Sequence, residues 1–168
     1  MTSLEIVAVA EGLRPDQCTL VPERREERTT EGGLDVVHHR GVLSAVVHRL
    51  RNVGTLVSAF IEPVAEQVRA SKETGFDAVE LWTGGYAHAR TPEARATALD
   101  ALVRAIELGR ASGLEVHAGH GLTYRNIAGV VRLSGLREFN IGHSIVSRAV
   151  FTGMREAVRE MKRLLTHF

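Results

Sequence analysis

Short apolar runs alternate along the chain with longer segments of helical period. Five runs predict β-strands, at Gln17 to Val21, Thr55 to Ile61, Ala78 to Trp82, Leu114 to Ala118 and Glu138 to Ile141. From the second run onward, each strand is followed by a helical segment. This alternation is typical of repeated βα units around a parallel sheet. The sequence therefore predicts an α/β fold.

Two of the segments between strands carry a single apolar stripe with the i, i+3, i+4, i+7 spacing of an amphipathic helix. The stripes are Leu43, Val46, Val47 and Leu50, and further along Leu99, Leu102, Val103 and Ile106. The second helix has clear limits, since Thr91 suits the N-cap, Pro92 the first helical position and Gly113 a left-handed cap. We expect each stripe to cover one face of the sheet.

The number of strands leaves two architectures open. A complete (β/α)8 barrel has eight strands and about 250 residues, whereas this sequence has 168 residues and predicts five strands. It also begins with a predicted helix, from Ser3 to about Gly12, with no strand before it. The chain is therefore either an open sheet or the later part of a barrel. In both cases the carboxyl ends of the strands share one side, where such folds bind ligands.

Composition narrows the class of protein. The chain has 21 Lys and Arg against 20 Asp and Glu, a formal net charge of +1, which gives no field that favours nucleic acid or an anionic membrane. The single cysteine, Cys18, excludes an intramolecular disulfide and suits a reducing compartment. The first residues lack the pattern of a signal peptide, and no apolar run approaches the roughly 18 residues of a spanning helix. We expect one soluble domain over residues 1–168 in the cytoplasm.

His120 is the first candidate for acid or base chemistry. It follows the fourth predicted strand and stands between Gly119 and Gly121, which permit a sharp turn and a close approach of substrate. Imidazole is the side chain whose ordinary pKa lies nearest neutrality, as proton transfer at pH 7 requires. The alternative is a histidine that is merely hydrogen-bonded in a tight turn.

Glu80 is the second candidate. It lies inside the third predicted strand, where alternation directs its side chain away from those of Val79 and Leu81. In a barrel one of those directions is the interior, and a carboxylate there is costly unless it is paired or used. On an edge strand, Glu80 would instead simply face solvent.

Gly142 and His143 are candidates for binding an anion. They follow the last predicted strand and begin a helical pattern that continues through Val150. The free backbone N–H groups and the dipole at a helix N-terminus favour phosphate, and in barrels the loops after the last two strands often bind one. An ordinary tight turn between strand and helix is the alternative.

The long connection from Pro22 to Asp35 suggests a flap over the site. Its mixed charges, from Glu23 to Arg28, precede threonines and the paired glycines Gly32 and Gly33. A solvated loop is the alternative for the charged part.

The eight histidines show no spacing for a metal site, and we expect His117 and Cys18 to pack in or beside a strand.

Four motifs stand in order along the chain: Leu20-Val21-Pro22-Glu23, the stretch from Thr29 to Val36, the stretch from Ala118 to Tyr124, and Asn140-Ile141-Gly142-His143. Together they resemble the pyridoxine 5′-phosphate synthase family. The resemblance implies a (β/α)8 barrel that assembles as a homo-octamer and needs no cofactor or catalytic metal. It also implies two phosphorylated substrates, 1-deoxy-D-xylulose 5-phosphate and 3-amino-2-oxopropyl phosphate, which such enzymes join to close the pyridine ring of vitamin B6.

The resemblance also implies roles for individual residues. His120 matches the proton donor of the family and Glu80 the glutamate that stabilises the transition state. Gly121, Gly142 and His143 match contacts to the aminoketone phosphate, and Thr29 a contact to the sugar phosphate.

The resemblance covers only the later two thirds of the family's chain, from about Leu4 to Leu165. We therefore expect an incomplete barrel of about five βα units, without the first three strands and their base and phosphate-binding arginines, and inactive by itself. A non-catalytic module that binds phosphate ligands or takes part in assembly is the alternative. A metal-dependent hydrolase on a related barrel is a further one, weakened by the absence of a ligand pattern.

Overall fold

The computed structural model describes residues 4–22 and 32–166. Within them five strands form one parallel sheet in the order β1-β2-β3-β4-β5. The strands are β1 Gln17–Leu20, β2 Leu56–Ile61, β3 Ala78–Trp82, β4 Glu115–Gly119 and β5 Glu138–Asn140. All five predicted strands are confirmed, with limits that differ by at most one residue.

The helices follow the strands in the manner of βα units. They are α1 Leu4–Leu13, α2 Val36–Asn52, α3 Ala65–Thr74, α4 Gly84–Ala87, α5 Pro92–Ala111, α6 Ile127–Val131, α7 His143–Thr152 and α8 Met154–Thr166. The limits expected for α5 are confirmed: the Thr91 side chain accepts a hydrogen bond from the backbone N–H of Ala94, and Gly113 is left-handed with a φ of 73°. The first predicted helix is confirmed over the described residues from Leu4 and ends at Leu13, one residue later than expected.

Alternation along the strands separates two environments. The outer positions are apolar and pack with the helices in the core; they include Val57, Ala59, Ile61, Val79, Leu81, Val116 and Ala118. The α2 stripe is buried against them, and Leu50 is fully buried. The inner positions are more polar. There Glu80 of β3 lies beside His117 of β4, and His117 lies beside Glu138 of β5.

The sheet curls, so that its first and last strands approach each other on the inner face. The Nε2 atom of Gln17 in β1 lies 3.5 Å from Oε1 of Glu138 in β5. Five parallel strands that curl in this way, with helices outside, form an incomplete barrel of the (β/α)8 type. The open-sheet alternative is therefore wrong.

Candidate active site

The carboxyl ends of the strands surround a cavity of about 730 Å³. Five of the residues singled out from the sequence line it, namely Glu80, His120, Gly121, Gly142 and His143. Thr29 and the charged run before it lie outside the described residues. The parallel sheet thus brings together positions that are up to 63 residues apart in the sequence.

Glu80 reaches the cavity from the middle of β3 and is only 8% exposed. Oε2 of its carboxylate accepts a hydrogen bond of 2.8 Å from Nδ2 of Asn140. Burial raises the pKa of Glu80 to about 7, although the Asn140 amide lowers it, and the nearby charge of Glu138 adds to the rise. Near neutral pH this carboxyl group can therefore both hold and release a proton.

Gly119 makes room for that carboxylate. A Cβ at position 119 would lie 2.2 Å from Oε1 of Glu80 and 2.9 Å from the carbonyl oxygen of Asn140. The sequence suggested that the glycines flanking His120 permit a sharp turn. Gly119 is instead required because no side chain fits between Glu80 and β5.

His120 itself adopts the left-handed conformation, with a φ of 72°, which costs a non-glycine residue about 1 kcal/mol or more. Its ring is half-buried and lies 6.0 Å from the ring of Phe60, centroid to centroid. Burial lowers the pKa of His120 below its usual 6.5, and the charges of His88 and His143 lower it further. The imidazole is therefore mainly neutral at pH 7.

Gly121 is required both for its backbone and for space. Its φ is 79°, and a Cβ there would lie 2.8 Å from Cβ of Ala87. Its carbonyl oxygen accepts a hydrogen bond of 3.0 Å from Nδ2 of Asn126. The loop after β4 therefore packs against Ala87 of α4. It is also held by the hydrogen bond from Asn126, which lies further along the same loop.

The N-terminus of α7 opens onto the same cavity. Gly142 is its N-cap and has no side chain to occupy the first backbone N–H groups. A Cβ at Gly142 would meet nothing within 4 Å, so the space in front of the helix is open. Oγ of Ser144 donates to the carbonyl oxygen of Leu122 at 2.9 Å, which fastens the first turn of α7 to the loop after β4.

The structure adds residues that the sequence did not single out. His88 is exposed and lines the cavity directly after the short helix α4. Phe60 and Asn140 also line it, from the ends of β2 and β5. Their position at carboxyl ends of strands was a usable signal, although nothing in the local sequence distinguished them.

His117 is packed in its strand, as expected, and is 1% exposed. Its ring nitrogens lie 3.7 Å from Oε2 of Glu115 and 3.8 Å from Oε1 of Glu138. Across residues 4–22 and 32–166, no three His, Cys, Asp or Glu side chains are arranged to hold a metal ion. No helix in this part of the chain is long and apolar enough to cross a membrane.

The curled parallel sheet, with a carboxyl group, an imidazole and a helix N-terminus in one cavity at its carboxyl end, places the chain among (β/α)8-type barrel proteins, which carry their active sites at this end. The family model described as "Pyridoxal phosphate biosynthesis protein PdxJ" matches residues 1–167. The chain belongs to this family.

Individual relatives agree with that assignment. The chain is 53% identical to the pyridoxine 5′-phosphate synthase of Trichlorobacter lovleyi over 161 residues, which are 96% of this chain and 67% of the relative. It is 50% identical to the synthase of Geobacter sulfurreducens, over 97% of this chain and 68% of the relative. The synthase of Thermosynechococcus vestitus is 49% identical over 96% of this chain and 68% of the relative. The chain thus spans about two thirds of the length of these relatives.

The raised pKa of Glu80 predicts that Glu80→Gln stabilises the fold at alkaline pH. The folded pKa of about 7 lies above the ordinary 4.5, so the wild-type protein loses stability as the pH rises from about 4.5 through 7. Each pKa unit corresponds to about 1.4 kcal/mol, and Glu80→Gln should therefore raise the free energy of unfolding by about 3 kcal/mol at pH 8.

Urea denaturation at pH 5 and pH 8 measures this difference. The gain should be small at pH 5, because the wild-type carboxyl group is then protonated in the folded protein. Glu107→Gln, in an exposed part of α5, is the control and should show no such pH dependence. An equal effect of Glu80→Gln at both pH values would contradict the burial argument.

Proposed function

We propose that this chain carries the site of a pyridoxine 5′-phosphate synthase, which condenses 3-amino-2-oxopropyl phosphate with 1-deoxy-D-xylulose 5-phosphate and closes the pyridine ring. Family membership and the identity to several synthases support the reaction. The observation that carries it in the structure is the shared cavity of Glu80, His120 and the N-terminus of α7. Ring closure needs proton transfers beside an anchored phosphate, and these are the groups required.

In this proposal the backbone N–H groups at Gly142 and His143 bind the phosphate of the aminoketone, and Gly121 gives it a close backbone contact. The open space before Gly142 leaves room for the phosphate group. A bound dianion has a second effect, because it favours the imidazolium form of His120. Substrate binding thereby loads His120, neutral in the free site, with the proton that it donates.

Glu80 lines the cavity, is buried, and is held by a hydrogen bond from Asn140. Condensation of an amine with a ketone develops positive charge on nitrogen, and a carboxylate nearby stabilises it. Because the pKa of Glu80 is about 7, its carboxylate can be charged while the cation forms and can accept a proton when the nitrogen loses its positive charge. Glu80 is thus the group that stabilises the transition state in this proposal. The family resemblance adds Thr29 as the contact to the sugar phosphate.

Assembly and location are part of the same proposal. The resemblance implies a homo-octamer in the cytoplasm, and the helical surface offers apolar area for an interface, since Val150 is 78% and Phe151 86% exposed in α7. The relatives are about half as long again as the matched region. We propose that their remaining βα units complete the barrel and supply the base and the phosphate-binding arginines.

The activity test compares the 168-residue chain alone with the same chain joined to the uncovered third of the Trichlorobacter lovleyi synthase. We expect pyridoxine 5′-phosphate and inorganic phosphate to form only with the joined protein. His120→Gln and Glu80→Gln in that protein should each reduce turnover by about 10²- to 10⁴-fold, whereas His48→Gln, on the exposed side of α2, should not. Binding of both substrates without any turnover would instead support a non-catalytic module.

Gly142→Leu tests the phosphate site. The added side chain enters open space, so it should leave the fold intact while it blocks the N-terminus of α7. We expect the affinity for 3-amino-2-oxopropyl phosphate, followed by ³¹P NMR, to fall at least about tenfold, equivalent to about 1.4 kcal/mol.

Gly41→Leu is the matched control, because Gly41 is an exposed glycine of α2 where a Cβ also meets nothing within 4 Å. Its affinity for the aminoketone phosphate should equal that of the wild type. Unchanged affinity in Gly142→Leu would exclude the N-terminus of α7 as the phosphate site.

A further inference from the structure

Thr83 connects two elements of the site, although the proposed chemistry does not use it. It directly follows β3 and is fully buried. It occupies the N-cap position of the short helix α4, yet its side chain makes no capping hydrogen bond. Threonine at an N-cap usually accepts a bond from the helix, so its hydroxyl group serves another partner here.

That partner is the backbone at the end of β4. Oγ1 of Thr83 donates to the carbonyl oxygen of Gly119 at 2.8 Å and also to that of His120. The backbone N–H of Thr83 donates to Gly119 as well, at 2.9 Å. A hydroxyl group has a single proton, which is therefore shared between the two carbonyl oxygens.

The contact falls on a strained residue. His120 and Gly121 are successive left-handed residues, with φ values of 72° and 79°. Glycine adopts this conformation freely, but a histidine relaxes from it unless its surroundings hold it. Gly121 is held through Asn126, and Thr83 is the side chain that holds the carbonyl of His120 itself.

We propose that Thr83 is a positioning residue that keeps His120 in its left-handed conformation, with the imidazole directed into the cavity opposite Phe60. The consequence for turnover rests on the proposed synthase function, whereas the placement of the imidazole does not. Thr83 touches no substrate in this account. It acts through the backbone of His120.

Thr83→Val and Thr83→Ser test the proposal, because valine keeps the shape of threonine and serine keeps its hydroxyl group. Thr74→Val is the matched control: Thr74 is also buried, and its Oγ1 donates to a backbone carbonyl oxygen, that of Ala70, at 2.6 Å. It lies in α3, away from the cavity. The first readout is the NMR titration of the His120 imidazole in the 168-residue chain. The second is kcat in the joined protein of the activity test.

We expect Thr83→Val to move the pKa of His120 upward toward 6.5, because an imidazole that leaves the cavity regains water. In the joined protein kcat should fall about 10- to 100-fold with little change in KM, since the proton donor is displaced while the phosphate site is intact. Thr83→Ser should restore both properties, and Thr74→Val should change neither.

The titration and the assay separate the two claims. If neither the unsubstituted joined protein nor any variant shows turnover but Thr83→Val shifts the His120 titration, the positioning role stands and the synthase proposal fails. An unchanged His120 titration in a folded Thr83→Val protein would overturn the positioning role. If Thr83→Val does not fold, Thr83→Ala takes its place; failure of both, with Thr74→Val folded, would make Thr83 a determinant of the fold and would also contradict the proposal.

Discussion

The site depends on the parallel register between β3 and β4. Trp82 pairs with Gly119 and Glu80 with His117, so the end of β3 lies beside the start of the loop that contains His120. A change of register by one residue would direct Glu80 toward the helices and bury its carboxylate among the apolar core positions. The same register places Thr83 against the carbonyl groups of Gly119 and His120. One backbone pairing therefore arranges the carboxyl group, the imidazole and the residue that holds the loop.

Burial inverts the usual acid strengths in this cavity. Glu80 has a pKa raised to about 7, whereas that of His120 is lowered from 6.5, so near neutral pH the carboxyl group is partly protonated and the imidazole is mainly neutral. The inversion has a cost, because a carboxylate that resists ionisation destabilises the folded protein at high pH. Gly119 permits this burial because it leaves space for the carboxylate. Asn140 reduces the destabilisation, because its hydrogen bond limits the rise in the pKa of Glu80. Such a conflict between stability and local chemistry is typical of a functional site.

Periodicity was sufficient to predict the strands, the helices and the α/β class. The apolar stripe of α2 and the caps of α5 follow from local sequence, and alternation alone placed Glu80 on the face opposite Val79 and Leu81. The curl of the sheet was not predictable in this way, because it appears only in long-range contacts such as Gln17 with Glu138. Asn140 and His88 were missed as site residues for the same reason: each is distant in sequence from the groups that it faces. The position of His120 at a strand end indicated its place in the cavity, but its left-handed backbone, and the reason for Gly119, depend on side chains 37 and 39 residues earlier in the chain.

The central claim is that one cavity holds Glu80 and His120 with inverted acid strengths. Simultaneous NMR titration of the Glu80 carboxyl carbon and the His120 imidazole, in protein labelled with ¹³C at both residue types, measures it directly. The account predicts that Glu80 titrates near pH 7 and His120 below it, so that the carboxyl group keeps its proton to higher pH than the imidazole does. Titration of Glu80 near its ordinary 4.5 and of His120 at its ordinary 6.5 would contradict the account.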